Sequence, residues 1–196
     1  NIFIGPFTDV TGPGFTNVIA LGNGTTVAAN NTARFGSTIT SSYGGWAGWS
    51  NVSDGRFKKD VQENVPGISF IEKLRPVTYK LQATELDAFY HQNDKDKAAT
   101  MGMNYQAGLA EKEKITYTGF IAQEVEATAK QLGFDFSGVD AAKNENDTYG
   151  LRYAEFVVPL VKAVQELSKQ NDYLKNQNIE LLKRIEKLES LLISKK

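Results

Sequence analysis

The chain has no cysteine and a single histidine, His91. Disulfides and thiolate metal sites are thereby excluded, the redox compartment stays open, and no zinc centre built from protein ligands is expected. No apolar run approaches the roughly 18 to 20 residues that a bilayer span needs. The N-terminus lacks a basic stretch followed by an apolar one, so the chain is expected to be soluble and to start mid-protein. Charge of one sign is also missing: 22 basic residues stand against 23 acidic ones. That balance removes any bulk attraction to nucleic acid or an anionic membrane, and neither is expected as a partner. No cofactor is expected either. The glycines of "GPGFTN" and "GNGTT" do not sit between a buried strand and a helix as a phosphate loop requires, and scattered carboxylates such as Asp87 and Glu111 show no glycosidase pairing. What is present, 41% hydrophobic residues over 196 positions, suffices to bury a core.

Composition shifts twice and divides the chain into 1–50, 51–153 and 154–196. The first part is rich in Gly, Thr, Asn and Ser, with almost no charge beyond Asp9 and Arg34. Helix is disfavoured by that composition. Three related phrases recur, "NIFIG" at 1–5, "NVIALG" at 17–22 and "NTARFG" at 31–36, each reading as a short strand ended by a glycine turn. A strand-and-turn repeat predicts a β-solenoid, in which one coil buries its apolar side only by stacking on others. A β-meander with chance similarity is the plainer alternative.

The middle part reads as mixed α+β. Ile68, Ile71 and Leu74 fall at helical spacing between Pro66 and Pro76, "VTYKLQ" and "ITYTGF" alternate as strands, and "IAQEVEATAKQLG", 121–133, is a helix closed by Gly133. Residues 84–114, including "HQNDKDKAAT", are polar enough to predict a loop or protruding arm with some helix, and "DAAKNENDTYG" is expected to be exposed. The tryptophans of "YGGWAGW" are expected to be packed.

From Ala154 onward Leu160, Leu167, Leu174, Leu181 and Leu188 recur seven apart, with Val164, Asn171, Asn178, Ile185 and Leu192 four residues after each. This a/d seam, free of glycine and proline after Pro159, predicts a coiled coil and hence an oligomer. Asn171 and Asn178 cost stability but penalise slipped registers, because a shifted partner leaves their amides unpaired against leucine. Leucine at d with valine or isoleucine at a leans toward two strands, so the helix alone does not specify a trimer. A DNA-binding zipper is disfavoured, since "YGLRYAEFVVPLVK" upstream is apolar rather than basic.

The seam between the first two parts reads "NVSDGRFKKDV", 51–61. A serine becomes a good nucleophile only when a base takes its proton in fixed geometry. Asp54, Lys58 and Lys59 are candidate bases, and a lysine serves only if burial or a neighbouring cation lowers its pKa from about 10.4. Arg56 and Lys59 are such cations. Asp54-Gly55 is a strong turn signal, so the chain can double back to bring the Lys58 amine to the Ser53 hydroxyl. The plain alternative is a solvated turn in which Asp54 or Ser53 caps a helix.

The pattern Ser-Asp-x-Arg-x-Lys-x-Asp-Val, carried by Ser53, Asp54, Arg56, Lys58, Asp60 and Val61, resembles the C-terminal intramolecular chaperone domain of phage tailspikes and tail fibres. That family is named for the endosialidase chaperone and classed as self-cleaving serine peptidases. "LRPVTYKL" at 74–81, "TGFIAQEVE" at 118–126 and "YAEFVVPLVKAVQEL" at 153–167 are similar to its later blocks, in order, so the resemblance covers 51–196. Phe57 stands where leucine is more usual, a change of packing. The first part is more loosely similar to the trimeric β-solenoid stems that precede such domains.

The resemblance implies a homotrimer whose C-terminal part aligns three chains while the upstream stem folds, and is then released by cleavage between Val52 and Ser53. It implies Ser53 as nucleophile and Lys58 as general base, with Asp54 and Arg56 shaping the turn, Asn51 or backbone N–H groups as oxyanion donors, and Gln123 and Glu124 in support. The partners implied are two further copies and the chain's own stem, in a virion tail fibre or tailspike folded in the host cytoplasm, or at a bacterial surface. A permanent trimerisation module that is never cut, or a receptor-binding tip using the 84–114 arm or the aromatic cluster Tyr43 to Trp49, is the competing expectation.

Overall fold

The computed structural model describes residues 1–92 and 100–194. The chain is mixed α+β with a long C-terminal helix. In chain order it forms β1 (Ile2–Ile4), β2 (Asp9–Val10), β3 (Val18–Leu21), β4 (Thr26–Val27), β5 (Thr32–Phe35), α1 (Ile68–Ile71), β6 (Val77–Lys80), α2 (Ala83–Tyr90), α3 (Met103–Lys114), β7 (Thr116–Gly119), α4 (Ala122–Gln131), β8 (Val139–Asp140), β9 (Gly150–Leu151) and α5 (Val157–Ile193). These belong to two compact units, one of 1–59, 75–124 and 139–151, the other of 60–74, 125–138 and Arg152 onward. Among the described residues no helix is long and apolar enough to cross a membrane.

In the first unit β1, β3 and β5 lie side by side in parallel, and β2 pairs in parallel with β4. Ile2 faces Ile19 and Val18 faces Thr32, so rungs repeat after 17 and then 14 residues. The three strand phrases of the sequence become neighbours, and two-residue strands that it did not announce fill the intervals. Val18, Ala20 and Val27 form the dry interior with Val10 and Phe15 against them. Close stacking dictates the turn chemistry. Gly5 and Gly22 both sit at φ 123°, and a Cβ on Gly5 would come within 2.8 Å of the Gly22 carbonyl carbon. Asn17 and Asn31 share a left-handed φ of 56°, and the Asn17 Nδ2 donates to Asn31 Oδ1 at 2.9 Å.

Downstream in the same unit, β6 and β7 pair antiparallel with Val77 opposite Gly119, and Tyr79 stacks on Tyr117. The helix expected within 84–114 is present as α2 and α3, which do not stand out as an arm but join a core of Ala83, Met101, Tyr105 and Leu109 with Ile39 and Leu81 against it. Two large side chains one helical turn apart, Tyr105 and Leu109, bury that otherwise polar helix. Residues 93–99 of "HQNDKDKAAT" lie outside the described residues. The expected exposed stretch 140–150 holds a buried carboxylate, Asp147. Trp46 and Trp49, expected to be packed, are exposed, with Trp49 touching only the ring of Phe35 among the aromatic contacts described.

In the second unit the predicted 66–76 helix shrinks to one turn, α1, and the residue it buries is Phe70 rather than Ile68, Ile71 or Leu74. Phe70 meets Phe134 and Phe136 edge-on at 5.4 and 5.0 Å, and Phe136 meets Phe156 at 4.9 Å. Such pairs add about 0.5 to 1.5 kcal/mol beyond their burial. Gly67 lets α1 approach α5 so closely that a Cβ there would fall 2.6 Å from the Ala163 nitrogen. The α1 N-terminus is satisfied by α5, since the Ile68 N–H donates to Glu166 Oε2 at 2.8 Å. Helix α5 runs 37 residues, about 56 Å at 1.5 Å per residue. Pro159 and Ala163 are buried near its start, and from Leu167 on every described residue is exposed, the leucine seam included.

Candidate active site

The seam folds as its local chemistry dictates. Asp54 is extended and its Oδ1 accepts from the Arg56 N–H at 2.9 Å, capping a single 3-10 turn over Gly55–Phe57. The Lys58 N–H then donates to the Gly55 carbonyl at 3.2 Å, which closes the turn. The reversal carries the Lys58 side chain back across five residues, and its Nζ donates to Ser53 Oγ at 2.8 Å. Asp54 thus caps the turn while Ser53 and Lys58 meet across it.

Arg56 departs from the expectation that its charge bears on Lys58. Its guanidinium grips Asp54, with Nε 3.1 and 2.9 Å from the two carboxylate oxygens. The Arg56 side-chain and backbone hydrogen bonds hold the Asp54 carboxyl below its usual range, and Asp54 in turn raises Arg56. Two opposite charges in contact leave little net field at a neighbouring amine. What the pair provides is a rigid loop.

Asn51, Val52, Ser53, Lys58 and Lys59 are all exposed, so the Val52–Ser53 peptide bond is open to solvent. The chemistry this contact can support is proton exchange between amine and hydroxyl, and it runs toward a serine nucleophile only once water is kept from the amine. Of the supporting candidates, Glu124 is engaged by Arg75, whose Nε donates to Oε2 at 3.0 Å and which lowers the Glu124 carboxyl. Gln123 is exposed in the first turn of α4. Asn171 and Asn178 lie exposed on α5.

A second polar cluster, which sequence reasoning missed, centres on Asp87 in α2. Its Oδ1 accepts from Thr38 Oγ1 and from the Tyr105 hydroxyl, both at 2.6 Å, and its Oδ2 lies 3.3 Å from His91 Nδ1. The other ring nitrogen, Nε2, is 3.2 Å from Thr26 Oγ1. Burial alone pushes the Asp87 carboxyl up, but the hydrogen bonds of His91, Thr38 and Tyr105 outweigh it and hold the group below its usual value. Burial and then Asp87 push the Tyr105 phenol up to about 12. Thr26, Thr38, Asp87 and His91 line one side of a cleft of about 1150 Å³, which Arg34, Lys112 and Asp147 also enter. The one legible signal was an acid and a histidine four residues apart on a helix, on one face.

Residues 53–134 match the family model described as chaperone of endosialidase, a peptidase family. The match begins at Ser53 and takes in the turn, β6, α2, α3, β7 and α4. Over this stretch the chain is similar to the chaperone-of-endosialidase family. No curated protein and no solved structure matches the chain.

Proposed function

We propose that this is a homotrimeric intramolecular chaperone that aligns and folds an upstream β-helical stem of a tail fibre or tailspike, then detaches by cutting its own chain between Val52 and Ser53. The carrying observation is the 2.8 Å contact of Lys58 Nζ with Ser53 Oγ at the start of the family match. Residues 1–50 are the stem end, 51–153 the chaperone and protease region, and 154–196 a coiled-coil helix. The parallel rungs of β1, β3 and β5 support a solenoid stem, and the bare leucine seam of α5 supports association of three helices, with Asn171 and Asn178 fixing register.

In the proposed reaction Lys58 Nζ, unprotonated, takes the Ser53 hydroxyl proton as Oγ bonds to the Val52 carbonyl carbon. The C–N bond of Val52–Ser53 breaks and the proton passes from Lys58 to the departing Ser53 nitrogen. The result is an ester between Val52 and Ser53 Oγ. Water, giving a proton to Lys58, adds to that ester; the C–O bond breaks and Oγ regains the proton. One water is consumed, leaving a carboxyl group on Val52 that passes its proton to the new amine of Ser53. Asn51 or backbone N–H groups stabilise the oxyanion, and the Asp54–Arg56 clasp holds the loop.

An exposed dyad stays idle until something dries it, and in this reading the neighbouring chains of the assembled trimer supply the cover. Cleavage then follows alignment in time, because the entropy of gathering three strands falls on the helix before the stem needs contacts between chains. After release the stem persists because it unfolds slowly. Mass spectrometry of freshly expressed protein tests this. Wild type is expected to give two fragments meeting at Val52 and Ser53, and Ser53→Ala and Lys58→Ala a single intact chain. An intact wild type would leave the permanent trimerisation module as the better reading.

A further inference from the structure

The stretch that carries the proposed cut does little to hold the first unit together. Residues 41–53 are solvent-exposed throughout. Residues 26–40, just upstream, are built into that unit against partners far downstream. Arg34 donates to the Tyr90 hydroxyl at 2.9 Å and to the buried Asp147 at 3.2 Å. Thr38 donates to Asp87 at 2.6 Å, and Lys112 Nζ donates to the Thr40 carbonyl. Thr26 meets the ring of the buried His91. Between these polar anchors Ile39 enters the apolar cluster of α2 and α3, opposite Gly108, where a Cβ would come 3.2 Å from it.

We infer that cutting Val52–Ser53 permits the release proposed above without completing it: residues 26–40 stay docked on the surface made by α2, α3 and the 140–148 loop, and separation is a distinct later step. This rests on the proposed cleavage for its biological setting, while the docking itself is a property of the folded unit. The scissile stretch is a tether. Severing it removes the high effective concentration that a short linker confers, but breaks none of the anchoring contacts. Pulling residues 26–40 away strips Asp147 and Asp87 of donors while their own sites are buried, and that cost sets a slow dissociation rate. The partner recognised is specific: a stem end presenting an arginine at 34, a hydroxyl at 38 and a branched apolar side chain at 39.

The experiment inserts the recognition sequence of a site-specific protease between Gly44 and Gly45 of the full chain carrying Ser53→Ala, so the cut falls in the exposed stretch whether or not the chain cuts itself. After digestion, native mass spectrometry and size exclusion are expected to find both pieces together. Immediate separation overturns the inference. Arg34→Ala and, separately, Thr38→Val are each expected to speed separation of the digested pieces by about tenfold, and the unchanged rate of both would overturn the assignment of the anchors. The two proposals fail differently. A wild type that never cuts itself, with digested pieces that co-elute, sinks the cleavage and keeps the docking. A wild type that cuts itself and falls apart at once does the reverse.

Discussion

Asp87→Ala is the substitution whose consequences the structure defines most closely. The Asp87 side chain is 3% exposed and is reached by Thr38, Tyr105 and His91. Truncation deprives the buried Tyr105 hydroxyl of an acceptor and the His91 ring of its facing carboxylate, although Thr38 and Tyr105 remain 3.0 Å apart and can bond each other. Each buried group left without a partner costs about 1 to 3 kcal/mol. With part of the loss recovered in the Thr38–Tyr105 bond, Asp87→Ala is expected to cost about 2 to 4 kcal/mol. Asp87→Asn, which keeps an acceptor of the same shape, is expected to cost about 1 to 2 kcal/mol. Far-UV circular dichroism is dominated by α5, which lies in the other unit, so amide hydrogen exchange of residues 83–90 and 103–114 is the suitable assay. Faster exchange by about 30- to 1000-fold is expected for Asp87→Ala where opening is limiting. An acceleration below about fivefold, or a greater effect of Asn than of Ala, refutes the view of Asp87 as the hub.

The pH dependence has a definite sign. The folded Asp87 carboxyl lies below its ordinary value of 3.8, so its contribution is fully present above that value and is lost as pH falls through the lower, folded one. The exchange ratio between wild type and Asp87→Asn should stay level from neutral pH down to the ordinary carboxylate range and shrink only below it. A ratio that collapses in the range where histidine ordinarily titrates, around about 6.5, would transfer the role to His91.

Gly67→Ala places a Cβ 2.6 Å from the Ala163 nitrogen and is expected to lower the stability of the second unit by about 1 to 3 kcal/mol, seen as an earlier urea midpoint at fixed chain concentration. An unchanged midpoint would mean that α1 can move off α5 without loss. Replacing Asn171 and Asn178 together by leucine should raise the melting temperature of the α5 helix signal while adding further oligomeric species in sedimentation, and a single species with unaltered melting would speak against the two amides as register markers.

Legibility in the sequence followed the range of the interactions. The 14-residue recurrence of "NVIALG" and "NTARFG" reappears as the β3–β5 register because one turn chemistry, asparagine before and glycine after, sets each rung. Asp54-Gly55 foretold the reversal at Ser53 because an Asx cap acts within three residues. Helix α3 was obscured by its charged tail and by Gly108, whose missing side chain makes room for Ile39, a residue almost seventy positions earlier. The Asp87 hub was hidden for the same reason: Thr26, Thr38 and Tyr105 converge on α2 only through tertiary packing. Arg34 was conspicuous as a lone cation among neutral residues, yet nothing local identified Asp147 as its counter-charge. Trp46 and Trp49 misled because large aromatics usually find cover, and here the first unit provides almost none.

The edge of β1 has one further consequence. In the order β1-β3-β5 it is a terminal strand, and Ile2, Phe3 and Ile4 leave its outer side uncovered. A parallel edge of this kind accepts another layer on the same terms by which β1 accepts β3. In the proposed stem such a ladder counts nothing: further storeys can be laid on it without altering a residue downstream.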